Sequence, residues 1–227
     1  MVGLYRFAPM LTVLGCLVLP RAGWADEAAA IQTVEKLGGK VFVADKRPGR
    51  PVGSVAFYGD NKSIDAALKA LWEFTKLEML TVANNRDITE AGTIEVKKLK
   101  SLRTLRLGGS KVTDMDLKHI KELSNLQYLD ISATQVTDAG LKELKALKDL
   151  KSLILIDLKV TNAGLRELKE NNNLELLDLR GAQITDDGLA ELKALPNLLE
   201  LLLNGTKVTE AGVKGLQAAS PKLGITR

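Results

Sequence analysis

The sequence is nearly empty of the residues that carry most enzyme chemistry. It has one cysteine, Cys16, and one histidine, His119. A lone cysteine forms no internal disulfide, so stability must come from packing. His119 stands between Lys118 and Ile120 on a helical stretch and reads as a solvated surface residue. No serine occupies a nucleophile-elbow pattern, so neither a Ser–His–Asp nor a Cys–His set is in view. The sequence also lacks H-E-x-x-H, G-x-x-x-x-G-K and a helix-opening G-x-G-x-x-G. Aromatic residues make up only 4%, which leaves few platforms for stacking a sugar or a base. Lys and Arg total 32 against 28 Asp and Glu, a net charge of +4. That surplus is too small to argue for nucleic acid or an anionic membrane. No stretch of 18 or more apolar residues exists, so no ordinary membrane span is expected. Together these absences point to a non-enzymatic chain with no cofactor and no metal.

The first 25 residues differ from the rest. Arg6 is the only charge before a 13-residue uncharged run, Phe7 to Leu19. A run that short suits the central region of a secretory signal, with Gly23 and Ala25 at the positions a signal peptidase reads. Residues 1–25 are therefore expected to be a signal peptide, giving an exported chain, periplasmic or extracellular. An uncleaved anchor is the alternative. Val13 to Cys16, V-L-G-C, loosely resembles a lipoprotein box, but the apolar run continues past the cysteine through Leu19. Cleavage after Ala25 removes Cys16, Arg6 and Arg21, and the net charge falls from +4 to +2.

Residues 26–51 read as an N-terminal cap. Asp26 to Leu37 has helical apolar spacing and ends at Gly38-Gly39. Lys40 to Ala44 alternates as a strand with Val41 and Val43 on one face, and Lys46 to Pro51 is a turn by its Pro and Gly content. A cap is needed because the first unit of a stacked array exposes an apolar face.

From Val52 a unit recurs. Its first anchors are Val52, Leu77, Leu102, Leu126, Leu150, Leu174 and Leu198, spaced by 25, 25, 24, 24, 24 and 24 residues. Second anchors stand three residues on (Val55, Leu80, Leu105, Leu129, Leu153, Leu177, Leu201), and third anchors two beyond those (Phe57, Val82, Leu107, Ile131, Leu155, Leu179, Leu203). The two-residue alternation is a short strand with one buried face. A β-branched residue follows (Ile64, Ile88, Val112, Val136, Val160, Ile184, Val208), then a helix carrying, for example, Leu141, Leu144 and Leu147 on one side. The chain ends on an incomplete unit, Pro221, Leu223 and Ile225, expected to add a short edge strand.

L-x-x-L-x-L at this period resembles a leucine-rich repeat, and V-T-D-x-G-L-x-x-L resembles the ribonuclease-inhibitor-like and F-box-associated subclass. The resemblance covers residues 52–227, about seven repeats. It implies an α/β, right-handed leucine-rich-repeat solenoid: a horseshoe arc with a parallel β-sheet on the concave side and α-helices on the convex side. One departure stands out. The usual Asn or Cys after the strand is replaced by Ser110, Thr134, Leu158, Ala182 and Thr206, so Ser and Thr are expected to serve part of the turn backbone. The F-box likeness implies no ubiquitin role, since the chain has no F-box and is expected to be exported.

The column Thr89-Glu90, Thr113-Asp114, Thr137-Asp138, Thr161-Asn162, Thr185-Asp186, Thr209-Glu210 suggests calcium at first sight. Calcium needs six or more converging oxygens, which one carboxylate per coil does not supply. Threonine at the helix N-cap with an acid in the first turn is the better reading. The lysines of Leu141 to Lys148 read as a solvated convex face.

The informative positions lie between the anchors and point into the concave side. One column reads Ser54, Met79, Thr104, Tyr128, Ser152, Leu176, Glu200; the next Ala56, Thr81, Arg106, Asp130, Ile154, Asp178, Leu202; the third Tyr58, Ala83, Gly108, Ser132, Ile156, Arg180, Asn204. Tyr128, Ile154, Ile156, Leu176 and Leu202 form an apolar cluster, with Arg106, Asp130, Asp178 and Arg180 at its border. An exposed apolar patch with a charged rim marks a protein-binding site; surface drift or a homodimer is the alternative. Binding of an envelope or matrix glycan is the competing function, weakened because Phe57, Phe42, Trp72 and Phe74 are expected in or near the core.

Overall fold

The computed structural model describes residues 22–43 and 51–227. The expected signal region up to Arg21, Val13 to Cys16 within it, and residues 44–50 of the expected strand end and turn lie outside the described residues. Helix α1 (Ala22–Lys36) opens upstream of the expected cleavage point and packs against strand β1 (Lys40–Val43). Two glycines end it for different reasons. Gly38 takes a left-handed φ of 84°, and Gly39 has no room for a side chain because Val34 and Phe57 close over it.

Each later coil supplies a short parallel strand: β2 (Val52–Tyr58), β3 (Met79–Ala83), β4 (Thr104–Arg106), β5 (Tyr128–Asp130), β6 (Ser152–Ile154), β7 (Leu176–Asp178), β8 (Glu200–Leu202) and β9 (Gly224–Thr226). Among the described residues they form, with β1, one nine-stranded sheet in chain order. The fold is thus an α/β solenoid-like stack. The exception to parallel pairing is β1, which runs antiparallel to β2 with an irregularity between Phe42 and Val43. All seven second anchors and all seven third anchors are fully buried, and they join the helix leucines in one continuous core. Since a single coil cannot enclose its own apolar side, neighbouring leucines complete each other's burial.

The return segments are α2 (Ile64–Ala70), α3 (Glu90–Val96), α4 (Asp114–Ile120), α5 (Asp138–Leu141), α6 (Asn162–Arg166), α7 (Asp186–Leu192) and α8 (Glu210–Ala219). After α5 and α6 the chain tightens into 3-10 turns, Lys142–Ala146 and Glu167–Glu170. Leucines spaced by three, as at Leu141, Leu144 and Leu147, suit three residues per turn.

The Thr–acid column does more than cap helices. Asp138 accepts the Thr161 N–H at 2.8 Å and the Thr161 hydroxyl at 2.6 Å, so each acid serves the threonine one coil on. Asp65 with Thr89, Asp114 with Thr137 and Asp186 with Thr209 repeat the pair. Asn162 does the same for Thr185, donating from its amide where a carboxylate would accept. These carboxylates thus tie each coil to the next. The Thr209 hydroxyl and N–H hold the Asp186 carboxyl below the usual carboxylate range. Its support is therefore present at neutral pH and lost only as the medium becomes strongly acidic.

The turn after each strand is served as expected in part. The Ser110, Thr134 and Thr206 hydroxyls donate to the carbonyls of Leu107, Ile131 and Leu203, each three residues back within its own turn. Asn85 adds a side-chain contact between coils at that corner, donating to the Gly59 carbonyl. A second amide ladder runs along the other corner, where Asn125, Asn173 and Asn197 donate to the carbonyls of Lys100, Lys148 and Asn172.

A buried amide breaks the leucine pattern on the helical side. Asn171 stands where other coils carry Leu99, Leu123, Leu147 and Leu195, and it is 1% exposed. Its amide donates to the carbonyls of Leu144 and Leu147, but its Oδ1 has no partner. Both carbonyls already accept backbone N–H groups, from Leu147 and Leu150. Asn171→Leu should therefore stabilise the fold by about 1 kcal/mol, the desolvation cost of the orphaned oxygen being removed. A lower urea midpoint for this variant would show that the amide bonds to those two carbonyls outweigh it.

Candidate functional site

Strand alternation places the second anchors inward and their neighbours outward. Leu153 and Leu177 are fully buried, while Ile154 and Leu176 are half-exposed on the opposite, open face of the sheet. The cross-strand register matches the expected columns: Thr104, Tyr128, Ser152, Leu176 and Glu200 lie side by side, as do Arg106, Asp130, Ile154, Asp178 and Leu202. The third column continues beyond the strands through backbone bonds, such as Ala133 N–H to the Ile156 carbonyl and Asp157 N–H to the Arg180 carbonyl.

Tyr128, Ile154, Ile156, Leu176 and Leu202 are all half-buried and contiguous on this face. The bordering residues behave unequally. Arg106 is exposed, and its guanidinium sits 5.0 Å from the centre of the Tyr128 ring, a cation–π approach that covers one end of the patch. Asp178 is only 2% exposed. Its carboxylate is clamped by Arg180, with Nε 2.9 Å from Oδ1 and Nη2 2.7 Å from Oδ2. Asp178 thus acts by fixing Arg180, and only the arginine is presented to solvent. That carboxylate in turn raises the Arg180 pKa above its ordinary value. Asp130 is half-buried and accepts the Ser132 N–H at 3.0 Å.

Two aromatic placements differ from expectation. Phe42 is 51% exposed rather than in the core. It pairs with Ser54 across the antiparallel β1–β2 ladder, so it faces outward on the open side. The alternation that sends Val41 inward carried this signal. Val43 is also exposed, because the ladder slips beside it. Trp72 is 38% exposed on the helical side with the Lys98 ammonium 3.5 Å from its ring centre. Phe57 and Phe74 are buried as expected. Leu199 was not singled out by sequence; it is 54% exposed just ahead of Glu200. It hid in the run L-L-E-L-L-L, where anchor and surface leucines look alike.

His119 is half-buried, with Nε2 3.3 Å from Glu90 Oε1 of the previous coil. The remaining shifted groups sit in ion pairs between successive coils. Lys100 lowers the Glu122 pKa, Lys121 that of Glu143 and Lys148 that of Glu170, while Glu175 raises that of Lys151. Such exposed rungs contribute little each. Among the described residues no group of three or more His, Cys, Asp or Glu could hold a metal ion, and no helix is long and apolar enough to cross a membrane. A polar cleft of 630 Å³, lined by Asp60, Asn84, Arg86, Lys111 and Gln135 among others, lies beyond the C-terminal ends of β2 to β5. It holds none of the expected contact residues.

Comparison with known proteins agrees with this architecture. A leucine rich repeat signature matches residues 75–136, and a second leucine rich repeat signature matches residues 170–193. Both support the leucine-rich-repeat family. A solved leucine-rich-repeat protein of Leptospira interrogans is similar in fold, with a TM-score of 0.57 and 21% identity over 77% of this chain. The alignment spans 48% of that longer protein. Internalin C2 of Listeria monocytogenes gives a TM-score of 0.59 at 21% identity, over 88% of this chain and 92% of its own. At such identity the likeness speaks to the fold alone. No curated relative matches the sequence.

Proposed function

We propose that this chain is an exported, non-enzymatic binding module that presents the open face of its sheet to a protein partner. The observation that carries the reading is the contiguous patch of Tyr128, Ile154, Ile156, Leu176 and Leu202 on a face where each coil's other outward positions are mostly small or polar. A hydrogen-bonded sheet backed by a continuous core holds those side chains in place, so little ordering entropy is lost on docking. The family is widely built for protein interaction, which supports the same direction. Export rests on the signal-like residues 1–25, and the helix-backed subclass on the V-T-D-x-G-L motif. A glycan is the second reading: Phe42 and Tyr58 are exposed on the open face.

Ile154→Asp with Leu176→Asp should abolish partner capture in affinity purification while the chain stays folded. Each substitution places a carboxylate on the outward side, so the circular dichroism melt should move little. Capture that survives in the double variant places the site elsewhere. A glycan-array signal that depends on Phe42 and Tyr58, with no protein captured, reverses the ranking.

A further inference from the structure

The open face carries two aspartates in one structural position, and only one of them has its cation. Asp130 and Asp178 share a column two coils apart, with Ile154 between them. Each carboxylate accepts the backbone N–H two residues on, Ser132 at 3.0 Å and Arg180 at 3.2 Å. From there the two sites diverge. Arg180 folds back over Asp178 and engages both oxygens with its guanidinium, while the turn bond to Oδ1 stays intact. At the other site the equivalent residue is Ser132, whose hydroxyl oxygen accepts the Ile156 N–H at 3.3 Å. Among the described residues no cation pairs with Asp130, and its carboxylate's one hydrogen bond is that turn bond. Arg106, its cross-strand neighbour, is engaged with the Tyr128 ring instead. The space beside the carboxylate is kept clear by Gly108: a Cβ there would lie 3.4 Å from Oδ1 and 3.5 Å from Oδ2.

We propose that Asp130 receives an arginine side chain from a bound polypeptide, whose adjacent apolar residues seat on Ile154, Ile156 and Leu176. The chain itself supplies the template, since the Asp178–Arg180 clamp shows the pairing this backbone geometry admits. Arginine fits better than lysine because its planar fork meets two carboxylate oxygens at once. A half-buried carboxylate beside an aliphatic patch gains more from such a partner than one in open water. The inference rests on the open face being the docking surface, and adds the chemistry of what docks there.

The test is selection of a random peptide library, displayed on phage, against the immobilised chain. The wild type should enrich arginine beside a branched apolar residue. Selected peptides, synthesised and measured by fluorescence polarisation, should bind Asp130→Asn about tenfold or more weakly, the loss of one charge-assisted pairing. Ser132→Arg should weaken them similarly, by rebuilding the Arg180 arrangement on the vacant aspartate. Replacing the peptide's arginine by citrulline should cost as much on the wild type and nothing further on Asp130→Asn. Selection without arginine enrichment, or equal affinity for Asp130→Asn, overturns the proposal. If Asp130→Asn binds normally while Ile154→Asp with Leu176→Asp does not, the docking face stands and the arginine pairing falls.

Discussion

Gly164→Ala should lower the stability of the array by about 3 kcal/mol, far more than an alanine in a helix would ordinarily cost. The first methyl group at that position would overlap Asp138 Oδ1 of the preceding coil. Asp138 must then move and release both the N–H and the hydroxyl of Thr161, each bond to a charged acceptor being worth about 1.5–3 kcal/mol, and less where solvent reaches it. Gly92, Gly140, Gly188 and Gly212 stand against Asp65, Asp114, Asn162 and Asp186 in the same way. The glycine of V-T-D-x-G-L is thus the mate of the acid one coil earlier.

One coil shows the rule by breaking it on both sides at once. Glu90 replaces the short acid, and Asp116 replaces the glycine of the next coil. Asp116, 6% exposed, turns back to accept the Thr113 N–H and hydroxyl, both at 2.8 Å, and reaches the Thr93 hydroxyl at 2.7 Å. E90D alone should therefore destabilise, by bringing a second carboxylate against Asp116. E90D combined with D116G should recover most of the loss by restoring the common arrangement. Urea denaturation of the single and double variants measures the coupling. Additive effects at these two positions would show that they are independent.

How much of this could be read beforehand depends on the range of the interaction. The anchors were legible because strand alternation and helical spacing are local and repeat seven times. The outward columns followed, and with them Tyr128, Ile154, Ile156, Leu176 and Leu202 on one face. Threonine at the N-caps of α3 to α8 was legible for the same reason. The partner of each acid was not, because Asp138 and Thr161 are 23 residues apart and nothing in either coil alone announces the bond. Asp116 and the Thr93 hydroxyl it accepts are likewise 23 residues apart. Asp178 and Arg180 were both singled out for the rim. Their spacing of two, which puts both on one face of a strand, held the clue that one covers the other. Phe42 was misplaced although strand alternation already set it opposite Val41, whose partner Val55 is buried.

A one-residue offset separates the two faces: Leu153 is buried in the stack, and Ile154 beside it lies on the proposed docking face. Thermal unfolding of Leu153→Asp next to Ile154→Asp tests this most directly. Leu153 is fully buried between Leu129 and Leu177 of the adjoining strands. An unpaired carboxylate there should cost more than about 4 kcal/mol, a large part of the roughly 5–15 kcal/mol that holds a domain folded. Leu153→Asp is expected to lose its cooperative transition or to melt tens of degrees early. Ile154→Asp is expected to melt within about 4 °C of the wild type, as for a surface change of at most about 1 kcal/mol. The opposite result, a collapsed Ile154→Asp and a tolerated Leu153→Asp, would show that the two faces have been exchanged and that the docking surface described here is the interior.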